Sequence, residues 1–254
     1  MDLDRRTFLT TATAALAAPA LMAASDRPAI RALLFDAFPI FDPRSIATAC
    51  ERMFPGQGAA LIGAWRTRQF DYQWHRALGG RYADFWRCTA DALDTACEAL
   101  SLDASAAQRD ELMQAWLQLD VWPDVPAAVR ELCDRGLTLA FLSNATHDIL
   151  KGGLKRAGLE PFFPHVISTD RARTFKPAPH AYRLGTELLG LDREEILFVA
   201  FAGWDVAGAK WFGYPVFWNN RTNAPAERLE AVPDGRGTTL GDLLRFLGNV
   251  PPRE

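Results

Sequence analysis

Cysteine and histidine are both scarce, and neither is placed to hold a metal. The four cysteines, Cys50, Cys88, Cys97 and Cys133, form no C-x-x-C pair and match no zinc spacing. They fall in segments of helical periodicity among apolar neighbours, which predicts buried free thiols although an oxidising compartment would permit a disulfide. The four histidines, His75, His147, His165 and His180, are scattered and show no metal-ligand spacing. An excess of one charge is missing too. Lys and Arg total 28 against 31 Asp and Glu, a net charge of −3 without runs of like sign. Neither nucleic acid nor a membrane surface is therefore an expected partner. Internal repeats and low-complexity tracts are absent, which excludes solenoids and linker-built chains.

A strongly apolar run long enough to span a bilayer, about 20 residues, is also lacking. The nearest approach is the N-terminus, "MDLDRRTFLTTATAALAAPALMAAS". Paired Arg5-Arg6, then Thr7-Phe8-Leu9 and an uncharged Ala/Thr/Leu-rich stretch to Ser25, are similar to a twin-arginine export signal. An Ala-rich amphipathic helix or a membrane anchor is the alternative. On the signal reading residues 1–24 are a leader, cut after Ala20 or near Ala24, and the folded protein is periplasmic; if the signal is not used, it is cytoplasmic. Losing Asp2, Asp4, Arg5 and Arg6 leaves the charge unchanged. No membrane contact is expected once the signal is removed.

What remains is a chain with ample length for a core: 254 residues, 49% hydrophobic and 23% charged. "RALLFDAFPIFD", residues 31–42, reads as a short buried strand that delivers a carboxylate, Asp36, at its tip. Residues 45–120 then read as helix after helix with no strand. Within them, Trp65, Gln69, Tyr72 and Arg76 lie on one face of a helix and Arg66, Phe70, Trp74 and Ala77 on the next, as in a helix wedged between two surfaces. After "VWPDVP" the pattern alternates: strands at "LTLAFLSNA", "FFPHVIS", "EILFVAFAGWD" and a last one at "PVFWNN", with helices between and "TTLGDLLRFLG" closing the chain. The expected fold is α/β: a Rossmann-like parallel sheet core with helices on both faces, residues 28–44 and 122–250, and an inserted helical cap, residues 45–121. A helical insertion at a strand tip sits over the carboxyl end of the sheet, where open α/β sheets bind ligands.

The strand tips and one loop carry the chemistry. Asp36 ends the first strand, Ser143-Asn144 the second, and Trp204-Asp205 follows a later one, while "RTFKPAPHAY" places Lys176 just before a Pro-started helix. Each feature alone is commonplace: a strand-end Asp or Ser-Asn is usually a turn or a cap, and Lys before Pro a solvated loop residue. Together and in this order they bring two carboxylates, a hydroxyl with an amide, and a cation to one crevice.

This order and the strings "FDAF", "WRTRQFDYQW", "GRYADFW", "FLSN", "STDRARTFKPAPHAY" and "LFVAFAGWD" resemble the haloacid dehalogenase-like superfamily, and within it the type II (S)-2-haloacid dehalogenases. The resemblance covers about residues 30–247. It implies that Asp36 is a nucleophile that displaces halide from C2 of a short 2-haloalkanoic acid with inversion. Water then hydrolyses the aspartyl ester to a 2-hydroxy acid. Phosphatases of the superfamily place a second Asp two residues on and need Mg²⁺; here that position is Phe38, an apolar wall suited to a leaving halide that needs no proton. The resemblance further implies that Arg66 holds halide or substrate, Asn144 joins the halide cradle and Ser143 binds carboxylate oxygens. Lys176 would pair with Asp36, Asp205 would orient Lys176 and help activate water, and Tyr182 and Trp204 would shape the pocket. No metal or cofactor is called for. The family's frequent homodimers make a homodimer possible.

Two local strings depart from the family pattern. The first loop, "DAFPIFD", is one residue short, and Pro39-Ile40 replaces a Gly-Thr pair whose hydroxyl supports the nucleophile. The late strand tip has Ala200 and Ala202 where Ser and Asn are usual, with Phe201 between them. The expected site is drier than that of its relatives. Export is a third departure, since such enzymes generally work in the cytoplasm. Two other readings remain open: a superfamily phosphatase, and a catalytically weak exported protein that binds a small carboxylate.

Overall fold

The computed structural model describes residues 29–248. The proposed leader, residues 1–24, lies outside the described residues, as do residues 28, 249 and 250 of the expected core. The chain starts with β1 (Ala32–Phe35) and β2 (Phe41–Asp42), then enters α1 (Arg44–Met53), α2 (Gly58–Leu78), α3 (Phe85–Ala99) and α4 (Ala106–Gln114). It returns through β3 (Asp120–Val121) to α5 (Val125–Asp134), β4 (Thr138–Ser143), α6 (His147–Ala157), β5 (His165–Ser168) and α7 (Pro179–Leu189). β6 (Ile196–Ala200), α8 (Gly203–Phe212), β7 (Val216–Asn219), β8 (Gly235–Gly237) and α9 (Leu240–Gly248) complete it.

Six strands pair in the order β5-β4-β1-β6-β7-β8, every pairing parallel. β1 is central and its four residues are fully buried, which is why it reads as a continuous apolar run. Its side chains alternate between faces. Leu33 and Phe35 join Leu139, Phe141, Val199 and the apolar sides of α5, α6 and α9; Ala32 and Leu34 join Tyr182, Phe198 and Val206 beneath α7 and α8. From β1 the chain builds outward to β5 on one side, then crosses to β6 on the other. Asp36 thus lies at the carboxyl end of the sheet, where the strand order reverses and a crevice opens.

The helices α1 to α4 are inserted between β2 and β3, which pair antiparallel, Phe41 with Val121 and Asp42 with Asp120. Sequence reading placed no strand in 45–120; a two-residue strand is too short to show a period of two. α2 is wedged between two surfaces. One stripe meets α3: Trp65 Nε1 donates to Thr89 O at 2.7 Å, Gln69 Nε2 to Thr89 Oγ1 at 2.6 Å, and Arg76 pairs with Asp91 at 2.5 Å. The other stripe, with Arg66, Phe70 and Trp74, faces the segments at the carboxyl end of the sheet: Phe38, Trp204 and the Lys176 loop.

Three other expectations are corrected. "EILFVAFAGWD" is not all strand: β6 stops at Ala200, and Asp205 lies in the first turn of α8. α8 is buried on nearly every side, so its apolarity cannot be told from that of a buried strand. The last strand is β8 rather than β7; its Gly-Arg-Gly has no β-branched or aromatic residue to announce it. The run read as helix after helix to residue 120 is not regular at its end: α4 gives way to a 3₁₀ turn at Ala115–Gln118. The cysteines are free thiols on helices, three of them buried. Burial pushes the Cys50 thiol up to about 12 and Cys88 to about 11, which leaves both unreactive.

Candidate active site

A fully buried ammonium organises the crevice. Lys176 Nζ donates to Asp36 Oδ1 at 2.9 Å and to Asp205 Oδ2 at 2.6 Å. The Lys176 side chain is 0% exposed, Asp205 1% and Asp36 13%, so of the three only Asp36 is open to a ligand. Burial alone would lower the lysine's pKa, but the charges of Asp205 and Asp36 raise it above the ordinary value, and the ammonium persists. Burial pushes the Asp205 carboxyl up to about 6 against the opposing charge of Lys176. Tyr182 Oη donates to Asp205 Oδ1 at 2.6 Å; burial raises its pKa, so it remains a phenol and a donor.

Each group is set by its element. Asp36 leaves β1 with its N–H bonded to Val199 O at 3.0 Å. Ser143, the last residue of β4, places Oγ 3.3 Å from Asp36 Oδ1. Lys176 sits in the loop before α7, whose Pro179 occupies the first turn, and the Lys176-Pro177 bond is cis. Asn144 fixes that loop. Its Oδ1 accepts from Lys176 N at 2.8 Å and Thr169 Oγ1 at 3.3 Å, while Nδ2 donates to Gln73 Oε1 at 3.3 Å and Lys176 O at 3.4 Å. In this arrangement the amide holds the lysine loop and has no donor left for a halide. Gln73 and Thr169, which sequence reading missed, are its partners; both are polar residues in apolar surroundings, and that contrast was the available signal.

The two oxygens of Asp36 differ. Oδ1 carries both the Lys176 and Ser143 bonds, whereas among the described residues Oδ2 meets only Phe38 N at 3.5 Å, at the limit of a hydrogen bond. Oδ2 is therefore the oxygen free to react. The walls around it are aromatic. Phe38 lies 5.6 Å from Phe201 and 6.5 Å from Trp116, and Trp204 packs edge-on against Phe70 and Trp74 from α2. Trp74 Nε1 donates to Lys176 O at 3.1 Å, tying the helical insertion to the lysine loop. Ala200 is fully buried against the α7–α8 face, and the turn from β6 into α8 carries only the apolar Phe201 and Ala202 before Gly203.

Arg66 reaches this wall from α2, its guanidinium carbon 5.6 Å from the Phe38 ring centre. Burial lowers its pKa and the charge of Asp36 raises it; an arginine stays cationic under both. Neither a hydrogen bond nor an ion pair to it is found among the described residues, so it is a half-buried cation near the nucleophile with capacity for an anion. Among the described residues, no group of three or more His, Cys, Asp or Glu side chains is arranged to hold a metal ion. The Lys176 ammonium sits between the two carboxylates and bonds both.

Comparison with known proteins agrees. The haloacid dehalogenase-like hydrolase family matches residues 6–213. The (S)-2-haloacid dehalogenase of Pseudomonas sp. (strain YL) is 40% identical over 212 residues, 83% of this chain and 91% of that protein. The crystal structure of the L-2-haloacid dehalogenase RSc1362 superposes with a TM-score of 0.85 at 40% identity, covering 87% of this chain and all of the other. An L-2-haloacid dehalogenase from Xanthobacter autotrophicus with chloropropionic acid covalently bound gives a TM-score of 0.81 at 37% identity over 87% of this chain and all of the other. On the family match, these identities and the shared sheet, the chain belongs to the haloacid dehalogenase-like hydrolases.

Proposed function

We propose that the chain is a hydrolytic (S)-2-haloacid dehalogenase that converts short 2-haloalkanoic acids to 2-hydroxy acids with inversion. The observation that carries this reading is the half-buried Arg66 guanidinium over the Phe38 ring, without a hydrogen bond or ion pair among the described residues, beside an aspartate with one oxygen engaged and one open. Asp36 Oδ2 attacks C2 in line; the new C–O bond forms as the carbon–halogen bond breaks, and halide leaves with the electron pair. Arg66 balances the charge of the departing halide or of the substrate carboxylate. Water then adds to the Asp36 carbonyl carbon. Lys176 and Ser143, already on Oδ1, stabilise the oxyanion that forms there, and Asp205 takes the proton. Collapse releases the ester oxygen as the product hydroxyl and restores Asp36, with one proton released overall. Phe38, Phe201 and Trp204 wall the carbon–halogen bond from solvent, and Tyr182 holds Asp205.

The phosphatase reading is not favoured. The leaving oxygen of a phosphate ester needs a proton donor, and the apolar Phe38 stands where that acid would be. The cap division at residues 45–121 is part of the proposal, with α2 carrying Arg66 to the crevice. So is export: the twin-arginine-like string, Arg5-Arg6 followed by an uncharged stretch, supports a periplasmic site of action. A homodimer rests on the family resemblance alone. No helix among the described residues is long and apolar enough to cross a membrane.

The test is halide release from each enantiomer of 2-chloropropionate with EDTA present. Release is expected from the S enantiomer, giving the R hydroxy acid. Its kcat/KM should fall as pH drops through about 6, because protonating Asp205 removes an acceptor from Lys176 and leaves the ammonium on Asp36 alone, which blunts the nucleophile. Asp205→Asn should erase that limb from whatever activity remains. No release from either enantiomer by folded protein would overturn the reading.

A further inference from the structure

The shortened first loop is gripped from behind by residues far away in sequence. Its carbonyls of Phe38, Pro39 and Ile40 are all engaged in succession. Trp122 Nε1 donates to Phe38 O at 2.9 Å, and Trp122 N to Ile40 O at 3.2 Å. Between them, Arg221 directs Nε at 3.0 Å and Nη2 at 2.8 Å onto Pro39 O. Arg221 follows β7, its side chain is 4% exposed, and it lies over the Trp122 ring at 4.9 Å. Asp124 holds its other edge at 2.9 and 3.2 Å, and Asp124 Oδ2 also accepts from Leu240 N at 2.7 Å, at the start of α9.

We infer that Arg221, braced by Asp124 and stacked on Trp122, is a positioning residue for the nucleophile: it fixes the rebuilt Asp36–Asp42 loop and so the placement of Asp36 and Phe38. A loop without the Gly-Thr pair has Pro39, which offers no N–H and can be secured only through its carbonyl. A buried guanidinium with two parallel donors fits that single acceptor and keeps its remaining edge for a carboxylate. The Phe38 ring is the surface beneath Arg66, so the clamp sets both the nucleophile and the floor of the anion pocket. No side chain of the clamp touches the reacting atoms. This inference rests on Asp36 being the nucleophile.

The test uses Arg221→Ala and Trp122→Phe in the whole protein, with kcat and KM for 2-chloropropionate and amide exchange at Ile40 and Phe41. Both amides bond to Ala37 O inside the loop, at 3.2 and 2.9 Å. Arg221→Ala is expected to lower kcat about tenfold or more while KM shifts less than about threefold, since a misplaced nucleophile costs rate more than binding. Millimolar guanidinium should restore part of the lost kcat, which a general loss of structure would not allow. Trp122→Phe keeps a stacking ring and removes one donor; a smaller drop of the same kind is expected, and it decides the matter if Arg221→Ala does not fold. Both variants should speed exchange at Ile40 and Phe41. Unchanged exchange, or faster exchange with unchanged kcat, or a loss of kcat that guanidinium does not restore while Trp122→Phe behaves as wild type, overturns the inference. Exchange is read without turnover. If wild-type protein releases no halide, the dehalogenase reading fails and with it the catalytic part of the inference, while exchange still decides whether the clamp holds the loop.

Discussion

Asp36→Asn abolishes halide release, lowering kcat by about 10⁴-fold or more, the scale seen when a covalent nucleophile is removed. The substitution is nearly isosteric. An amide oxygen can still accept from Lys176 and from Ser143, whose donors reach Oδ1 at 2.9 and 3.3 Å. Lys176 also retains Asp205 at 2.6 Å, so the buried ammonium is not left without a counter-charge. The fold should therefore persist, and the loss should be chemical: a neutral amide is too weak a nucleophile to displace halide from C2. Steady-state halide release, with circular dichroism to confirm the fold, checks this. Activity within about tenfold of wild type would remove Asp36 from the nucleophile's place.

The second large effect is on Lys176. Lys176→Met removes the cation from between two carboxylates in a site where the lysine is 0% and Asp205 1% exposed. Breaking a buried pair on one side costs about 3–5 kcal/mol, since the remaining charge is stranded away from water. Activity falls as well, because the oxyanion of ester hydrolysis loses its main counter-charge, a loss of about 10²–10³-fold by comparison with other oxyanion donors. The stability change has a pH signature. Burial already raises Asp205 to about 6, and without Lys176 the pull that opposes burial is gone, so the folded-state pKa rises further. The folded protein then binds a proton that the unfolded chain releases above about pH 4. Stability of the variant should increase as pH falls from neutrality toward 5, more steeply than that of wild type. Melting curves across that range check it. A variant that melts as wild type does at every pH would mean that the Lys176 pairs contribute nothing to the fold.

How much of this was legible in the sequence differs by residue. β1, Asp36 and the helical insertion were readable because a four-residue apolar run ending in an acid has few alternatives, and because α2 carries two aromatic stripes at helical spacing. Asp36, Lys176, Asp205, Ser143 and Tyr182 meet through hydrogen bonds in the folded chain. The place of Asp205 was misjudged by one element, since a helix buried all round and a buried strand have the same apolar signature. β2, β3 and β8 were missed because strands of two or three residues show no period. Asn144 was legible as a polar strand end, but its engagement with Lys176 and Gln73 depends on contacts across 32 and 71 residues of chain. Arg221 sat in a string, "NNRTNAP", that reads as an ordinary polar loop. Its meaning appears only when Pro39, 182 residues earlier, lies against it.

The departures at Pro39, Ala200 and Ala202 form a coherent shift. Apolar groups replace polar ones, while every charged group of the crevice is kept: Asp36, Arg66, Lys176 and Asp205. A chain drifting toward simple binding has no need for a lysine buried between two carboxylates, since each desolvated charge destabilises the fold unless it is paired.

The most direct test of the covalent route is a single turnover in ¹⁸O-water with enzyme in excess over (S)-2-chloropropionate. If Asp36 forms an ester and water attacks its carbonyl carbon, the heavy oxygen enters the peptide that carries Asp36, and the first 2-hydroxy acid released is unlabelled. Heavy oxygen in that first product, with none in the Asp36 peptide, would mean that water displaces the halide directly and would contradict the account.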